Sequence, residues 1–154
     1  MTGTPDSLDL VLALLASHRR LLGVDLLPEV PDESADQTAA RLYAAPFVVL
    51  AHDHSPDPRF TYANLAAQQL FERRWDEFVG LPSRLSAEAP AREERERLLE
   101  RVTRQGYIDD YAGVRISATG RRFRIEHATV WNLADASGRP IGQAATFADW
   151  SDVD

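Results

Sequence analysis

Near the N-terminus apolar residues recur every three or four positions. Leu8, Val11, Leu12, Leu15, Leu22 and Leu26 fall on one face, which Leu14 and Leu21 widen. The spacing predicts a helix over Pro5–Leu26, with Thr4 as N-cap and Pro5 in the first helical position. Leu27–Ser34 carries Pro28 and Pro31 and reads as a linker, and a shorter helix is predicted over Ala35–Ala44. After Pro46 the pattern changes. Phe47–Ala51 is an unbroken apolar run of strand length, as a central strand buried on both faces would show. His52–Pro58 is turn chemistry, and Arg59–Ala63 reads as a second strand. Asn64 is placed to cap a helix over Leu65–Arg73; a short turn at Trp75–Val79 ends in Gly80 and Pro82. A charged helix is predicted over Pro90–Arg104, with a narrow apolar stripe of Leu98, Leu99 and Val102 and Gly106 at its end. Its run Arg92–Arg101 reads as a solvated face, with Glu93–Arg97 and Glu100–Arg104 in the favoured i,i+4 order.

The last third predicts three antiparallel strands, Tyr107–Ser117, Arg122–Ala134 and Ile141–Trp150, with Gly120 and Gly138 in the connections. Alternation along the middle strand puts Phe123, Ile125, His127, Thr129, Trp131 and Leu133 on one face and Arg122, Arg124, Glu126 and Asn132 on the other. Two strands, a helical middle and three strands make one five-stranded antiparallel sheet with short helices on one face, an α+β arrangement. The expected division is an N-terminal helical extension, residues 1–45, and a sheet domain, residues 46–151.

Composition narrows the chemistry. The 154 residues include no cysteine, which excludes disulfides, thiolate metal sites, thiol nucleophiles and flavin–cysteine photochemistry. All 17 basic residues are Arg, so lysine Schiff-base and P-loop lysine chemistry are excluded as well. A net charge of −7 disfavours a nucleic-acid partner. No targeting or membrane-spanning segment is evident, so a cytoplasmic location is expected.

The element order is that of the PAS fold, and particular residues carry the likeness. Phe60–Phe71 resembles the PAS Y-x-N-x-A-x-x-L-F junction, Trp75–Gly80 resembles the turn that follows it, and Trp131-Asn132-Leu133, Asp135, Gly138 and Gly142-Gln143 resemble the ending of the PAS sheet. The segments Leu81–Glu88, Gly106–Tyr111, Gly113–Ser117, Gly120–Glu126 and Gly142–Phe147 together resemble the MEKHLA domain. This PAS-like family occurs as a stand-alone bacterial form and at the C-terminus of plant class III homeodomain–leucine zipper regulators. The likeness spans about Arg41 to Trp150 and is expected to extend over the N-terminal helices. It implies a sensory or interaction module and supplies no catalytic motif and no cofactor. With 154 residues there is no length for a homeodomain or zipper, so DNA binding is not expected to carry over.

A PAS-type pocket lies between the helices and the sheet. The groups expected to line it and bind a small molecule are Tyr62, Asn64, Tyr111, Arg115, His127, Trp131 and Gln143; Asn64 reads first as a helix cap. A small acidic ligand would need Arg115 or Arg124 as a clamp. Arg124 is expected to face outward and pair with Glu126 or Asp110 across strands, while alternation leaves Arg115 undecided. His127 is weighed as a haem ligand and as a core histidine, and the core reading is preferred. His52, His54 and Asp57 could touch a metal, yet no third strong ligand stands at motif spacing, so the segment reads as a solvated turn and no metal site is expected. Asp109 and Asp110 are strand neighbours pointing to opposite faces and cannot act as a pair. Three functions follow: a non-enzymatic sensory module with a small-molecule ligand, a ligand-free dimerisation module, and a small enzyme using His127 and Arg115. A homodimer through the N-terminal helix is expected, with packing of that helix on its own sheet as the alternative.

Overall fold

The computed structural model of the chain describes residues 8–153. The expected cap and first helical residue, Thr4 and Pro5, lie outside them. Two helices lead, α1 (Leu8–Leu22) and α2 (Ala35–Tyr43), followed by strands β1 (Val48–His52) and β2 (Phe60–Ala63). Helices α3 (Leu65–Phe71) and α4 (Trp75–Phe78), a 3-10 turn (Ser83–Ser86) and α5 (Ala89–Gln105) form the middle. Strands β3 (Tyr107–Ile116), β4 (Arg122–Ala134), β5 (Pro140–Phe147) and β6 (Asp149–Val153) complete the chain.

Local chemistry sets the ends of these elements. Ser34 and Gln37 form a reciprocal capping box on α2. Helix α3 stops at Phe71 because Glu72 turns left-handed at φ 57°, and its carboxylate accepts bonds from the Ser117 and Thr119 hydroxyls. Those bonds offset the steric cost of that conformation, about 1–2 kcal/mol for a non-glycine residue.

The strands form one antiparallel sheet in the order β2-β1-β5-β4-β3, the α+β class expected, with β6 as a sixth strand paired to β4. The single final strand expected over Ile141–Trp150 is two. Strand β4 is 13 residues long; its second half, Thr129–Ala134, pairs with β5, and its first half, Arg122–Glu126, pairs with β6.

At the junction of those two halves His127 takes φ 55°. This left-handed residue breaks the two-residue alternation, as a bulge does. Phe123, Ile125 and Ala128 then share a core with Val48, Phe71 and Phe147, whereas Trp131 and Leu133 emerge on the opposite face beside Val49 and Tyr62. The single apolar face read along this strand is therefore divided between two cores. Asn132 joins the face of Phe123 and donates to the Val102 carbonyl of α5.

Helices cover both faces. On one, α3, α4, the 3-10 turn and α5 close over β1–β5. On the other, Val11 and Leu14 of α1 and Ala39 and Leu42 of α2 are buried with Trp131, Leu133, Val49 and Ala51. The buried Ser17 hydroxyl accepts from the Ala134 amide at 3.1 Å, and the His18 ring meets Trp131 edge-on with centroids 5.0 Å apart. Most of the apolar stripe of the N-terminal helix packs on its own sheet, the alternative to the expected homodimer, while Leu12 stays exposed. Strand β1 is buried on both sides, as its unbroken apolar run requires.

Two buried donors on the α1 side, the Tyr62 hydroxyl and Trp131 Nε1, have no hydrogen-bond partner among the described residues. Burial pushes the Tyr62 phenol well above its ordinary pKa. Tyr62→Phe removes an unbonded buried hydroxyl and keeps the ring between Trp75 and the sheet. It is expected to stabilise the fold by about 1 kcal/mol, read as a rise of about 2–4 °C in melting temperature. A lower melting temperature would mean that the hydroxyl is bonded in solution.

Candidate functional site

Between the sheet and the roof formed by α5 and the 3-10 turn lies a cavity of about 60 Å³. A single water needs roughly 10–15 Å³, so the space suits a compact organic group or several waters. Strands β1, β3, β4 and β5 supply the floor. Leu50, Phe60, Leu98, Ile125, Val130 and Phe147 make most of the wall apolar.

The polar groups are His52, Ser83, Ser86, Arg95, Tyr111, Arg115 and Gln143. Arg95 is 5% exposed, and its Nη2 donates to Ser83 Oγ at 2.6 Å. Burial, together with the neighbouring charge of Arg115, pulls its pKa down to about 10, so it stays a cation at neutral pH. Arg115 sits with its guanidinium carbon 5.4 Å from the Tyr111 ring centroid. That ring lies so close over Gly113 that a Cβ there would fall 2.2 Å from the Tyr111 hydroxyl, which glycine alone permits. Neither Arg95 nor Arg115 has a carboxylate within 4.0 Å among the described residues.

His52 ends β1, and its Nδ1 donates to the Asp53 carbonyl at 2.7 Å. Burial first, and then the charges of Arg95 and Arg115, lower its pKa below 6.5, so the ring is neutral at pH 7. Gln143 Nε2 donates to Asn132 Oδ1 at 2.9 Å and to Thr103 Oγ1 at 3.1 Å. With the Asn132 bond to Val102, this pair fastens the last turns of α5 to the sheet. His52, Leu99 and Gln143 also line a surface cleft of about 560 Å³ that reaches Arg20, His54 and Pro140. These three side chains stand between the cavity and this cleft.

Of the seven residues expected at the pocket, Tyr111, Arg115 and Gln143 line this cavity. The other four do not. Tyr62 and Trp131 face α1 and α2 across the sheet. Asn64 is fully buried and bonds four backbone groups, the amides of Val49 and Ala67 and the carbonyls of Leu42 and Phe47. His127 points outward from its bulge with 80% of its side chain exposed, 3.4 Å from Asp149. It is neither a core histidine nor within reach of Arg115's cavity, so the enzyme reading that joined the two loses its constellation. Arg124 faces outward, as expected, and pairs at 2.9 Å with Glu126, two residues along the same strand rather than across strands.

The pattern reading missed His52, Ser83, Ser86 and Arg95. The residue pattern puts His52 in a solvated turn, but the strand runs one residue further and turns it into the cavity. The same pattern puts Arg95 on the solvated face of its helix. A signal was present: Arg95, Leu98 and Val102 stand at i, i+3 and i+7, on the stripe that α5 buries.

The MEKHLA domain family model matches residues 8–152, nearly the whole chain. The chain belongs to the MEKHLA domain family. This match includes α1 and α2, consistent with their packing on the sheet. Among curated proteins, the MEKHLA chain is 25% identical over 153 residues to the homeobox-leucine zipper protein HOX10 of Oryza sativa subsp. japonica. It is 26% identical over 152 residues to the homeobox-leucine zipper protein ATHB-14 of Arabidopsis thaliana. The alignments cover 99% and 97% of this chain but 18% of each plant protein. Among solved structures, a PAS domain from Colwellia psychrerythraea superposes with a TM-score of 0.61 at 14% identity, covering 76% of this chain and 94% of that one. A fungal LOV domain photoreceptor gives 0.57 at 18% identity, covering 91% of both chains. An RNA-binding light-oxygen-voltage receptor gives 0.63 at 20% identity, covering 82% of this chain and 36% of the other. These likenesses show a PAS-type fold.

Proposed function

We propose that the MEKHLA chain is a cytoplasmic, non-enzymatic sensory or regulatory module that takes a small molecule into the cavity between α5 and the sheet. The cavity carries the reading: an apolar chamber with a few convergent polar groups, separated from a surface cleft by three side chains. Tyr111, Arg115 and Gln143, with Arg95, His52 and Ser83, are the residues assigned to the ligand. The division into a helical extension, residues 1–45, and a sensory core, residues 46–151, is kept as part of this reading. Occupancy would be felt at α5, because Gln143 is at once a wall of the chamber and a tie to Thr103 of that helix. Neither a nucleic acid nor a membrane is a partner in this reading, which rests on the charge of −7 and on the lack of any helix among the described residues long and apolar enough to cross a membrane.

A ligand-free interaction module is the second reading, and one observation favours it: β6 is exposed throughout and presents Trp150 and Val153. A homodimer through the N-terminal helix would have to use what its own sheet leaves uncovered, Leu12 above all.

Native mass spectrometry of freshly purified protein, with a visible absorption spectrum, separates the two readings. The sensory reading expects excess mass over the denatured chain, or saturable uptake of a small compound. A native mass equal to the bare chain, with no uptake of any small compound, rejects it in favour of the interaction module.

A further inference from the structure

We infer that the cavity takes a small carboxylate with a compact apolar body, its carboxyl group held between the guanidinium groups of Arg95 and Arg115. The inference rests on the reading of the chain as a ligand-binding module and adds the class of ligand. A guanidinium carries five N–H donors and is seldom buried without an anion. Arg95 is 5% exposed, and its one hydrogen bond among the described residues goes to a neutral serine. Arg115 lines the same chamber with no ion pair among the described residues. The contrast lies close by. Arg84, on the 3-10 turn beside Ser83, pairs with Asp57 at 3.2 Å, and Arg122, the pairing neighbour of Ile116, pairs with Glu88 at 3.5 Å.

Two cations lining one cavity repel each other, and the fall of the Arg95 pKa reflects both its burial and that neighbour. The charges of Glu96 and Asp57 act on Arg95 in the opposite sense without pairing with it. His52, the third basic group of the chamber, supplies no anion. A carboxylate would offset the burial of the Arg95 guanidinium and its repulsion from half-buried Arg115 through charge-assisted, bidentate hydrogen bonds, with Ser83 and Ser86 close by. The remaining wall, including Leu98, Ile125, Val130 and Phe147, fits hydrocarbon rather than a hydrated ion. A chamber of about 60 Å³ excludes nucleotides and leaves room for a body of a few carbons.

The test uses the full chain with isobutyrate and its uncharged twin isobutyramide, followed by thermal melting and calorimetric titration. Isobutyrate is expected to raise the melting temperature saturably, and isobutyramide to leave it unchanged at the same concentration. Arg95→Met and Arg115→Met should each weaken isobutyrate binding about tenfold or more. Arg124→Met, outside the chamber, should not. Should Arg95→Met fail to fold, Arg115→Met decides the matter. Equal shifts from both probes, or wild-type affinity in the Arg115 variant, overturn the inference. Binding of isobutyramide alone, or a neutral copurified compound, also overturns it while leaving the sensory reading standing. If neither probe binds and the native mass is that of the bare chain, both fall together.

Discussion

Asn64→Ala is expected to lower the stability of the fold by about 3–5 kcal/mol, because it strands the amides of Val49 and Ala67 and the Phe47 carbonyl at once and leaves the Leu42 carbonyl with the Ala45 amide alone. The side chain accepts from the amides of Val49 and Ala67 and donates to the carbonyls of Leu42 and Phe47, with distances of 2.8–3.2 Å. It thereby ties the end of α2, the start of β1 and the first turn of α3 together at one fully buried point. A simple helix cap would be worth about 1 kcal/mol and would tolerate aspartate. The clamp does not, since a carboxylate would face two carbonyl oxygens where the amide donates. Denaturant unfolding of the Ala and Asp variants separates the two descriptions. The clamp expects Asn64→Asp to cost nearly as much as Asn64→Ala. An aspartate variant as stable as the parent would reduce Asn64 to a cap.

Trp131→Ala should cost a similar amount, about 3–5 kcal/mol for a fully buried tryptophan. The location of the damage is the more informative result. Trp131 packs under α1 and α2 with Val11, Leu14 and His18, on the face of the sheet away from the chamber. Amide hydrogen exchange is expected to show α1 opening well before the global transition, while β3 and the first half of β4 keep their protection. Affinity for a chamber ligand should change little. Loss of protection centred on α5 instead would place Trp131 on the chamber face and refute the division of β4 at His127.

That division marks where pattern reading stopped working. The strand period of two is a property of regular extended backbone, and every facing assigned from it assumes that no residue leaves that region. His127 leaves it, and one left-handed residue moved Trp131 and Leu133 to the other core and Asn132 to the α5 side. Irregular pairing in β3 had the same effect on a smaller scale, letting Ile108 and Tyr111 both meet the α5 side although their numbers differ in parity. Nothing in the local residue types demands a bulge at a histidine in a strand of aromatic and β-branched neighbours. The pairing of β4 with β5 along one half and β6 along the other is a long-range event, and the bulge sits where one partner gives way to the other. Arg95 failed differently. It stands on the apolar stripe of α5, and its charge concealed a position that helical periodicity alone would have buried.

By itself, the sequence determined the order of the elements up to β5, the α+β class, the central double-faced strand at Val48–Ala51 and the MEKHLA family. These depend on periodicity and short motifs, which act through neighbours in the chain. Only the tertiary structure decided which face of the sheet each β4 side chain joined, that the N-terminal helices cover their own sheet, and that Arg95 and Arg115 line one cavity. Those outcomes are set by contacts between segments far apart in sequence, where a single bulge or a buried charge outweighs local preference.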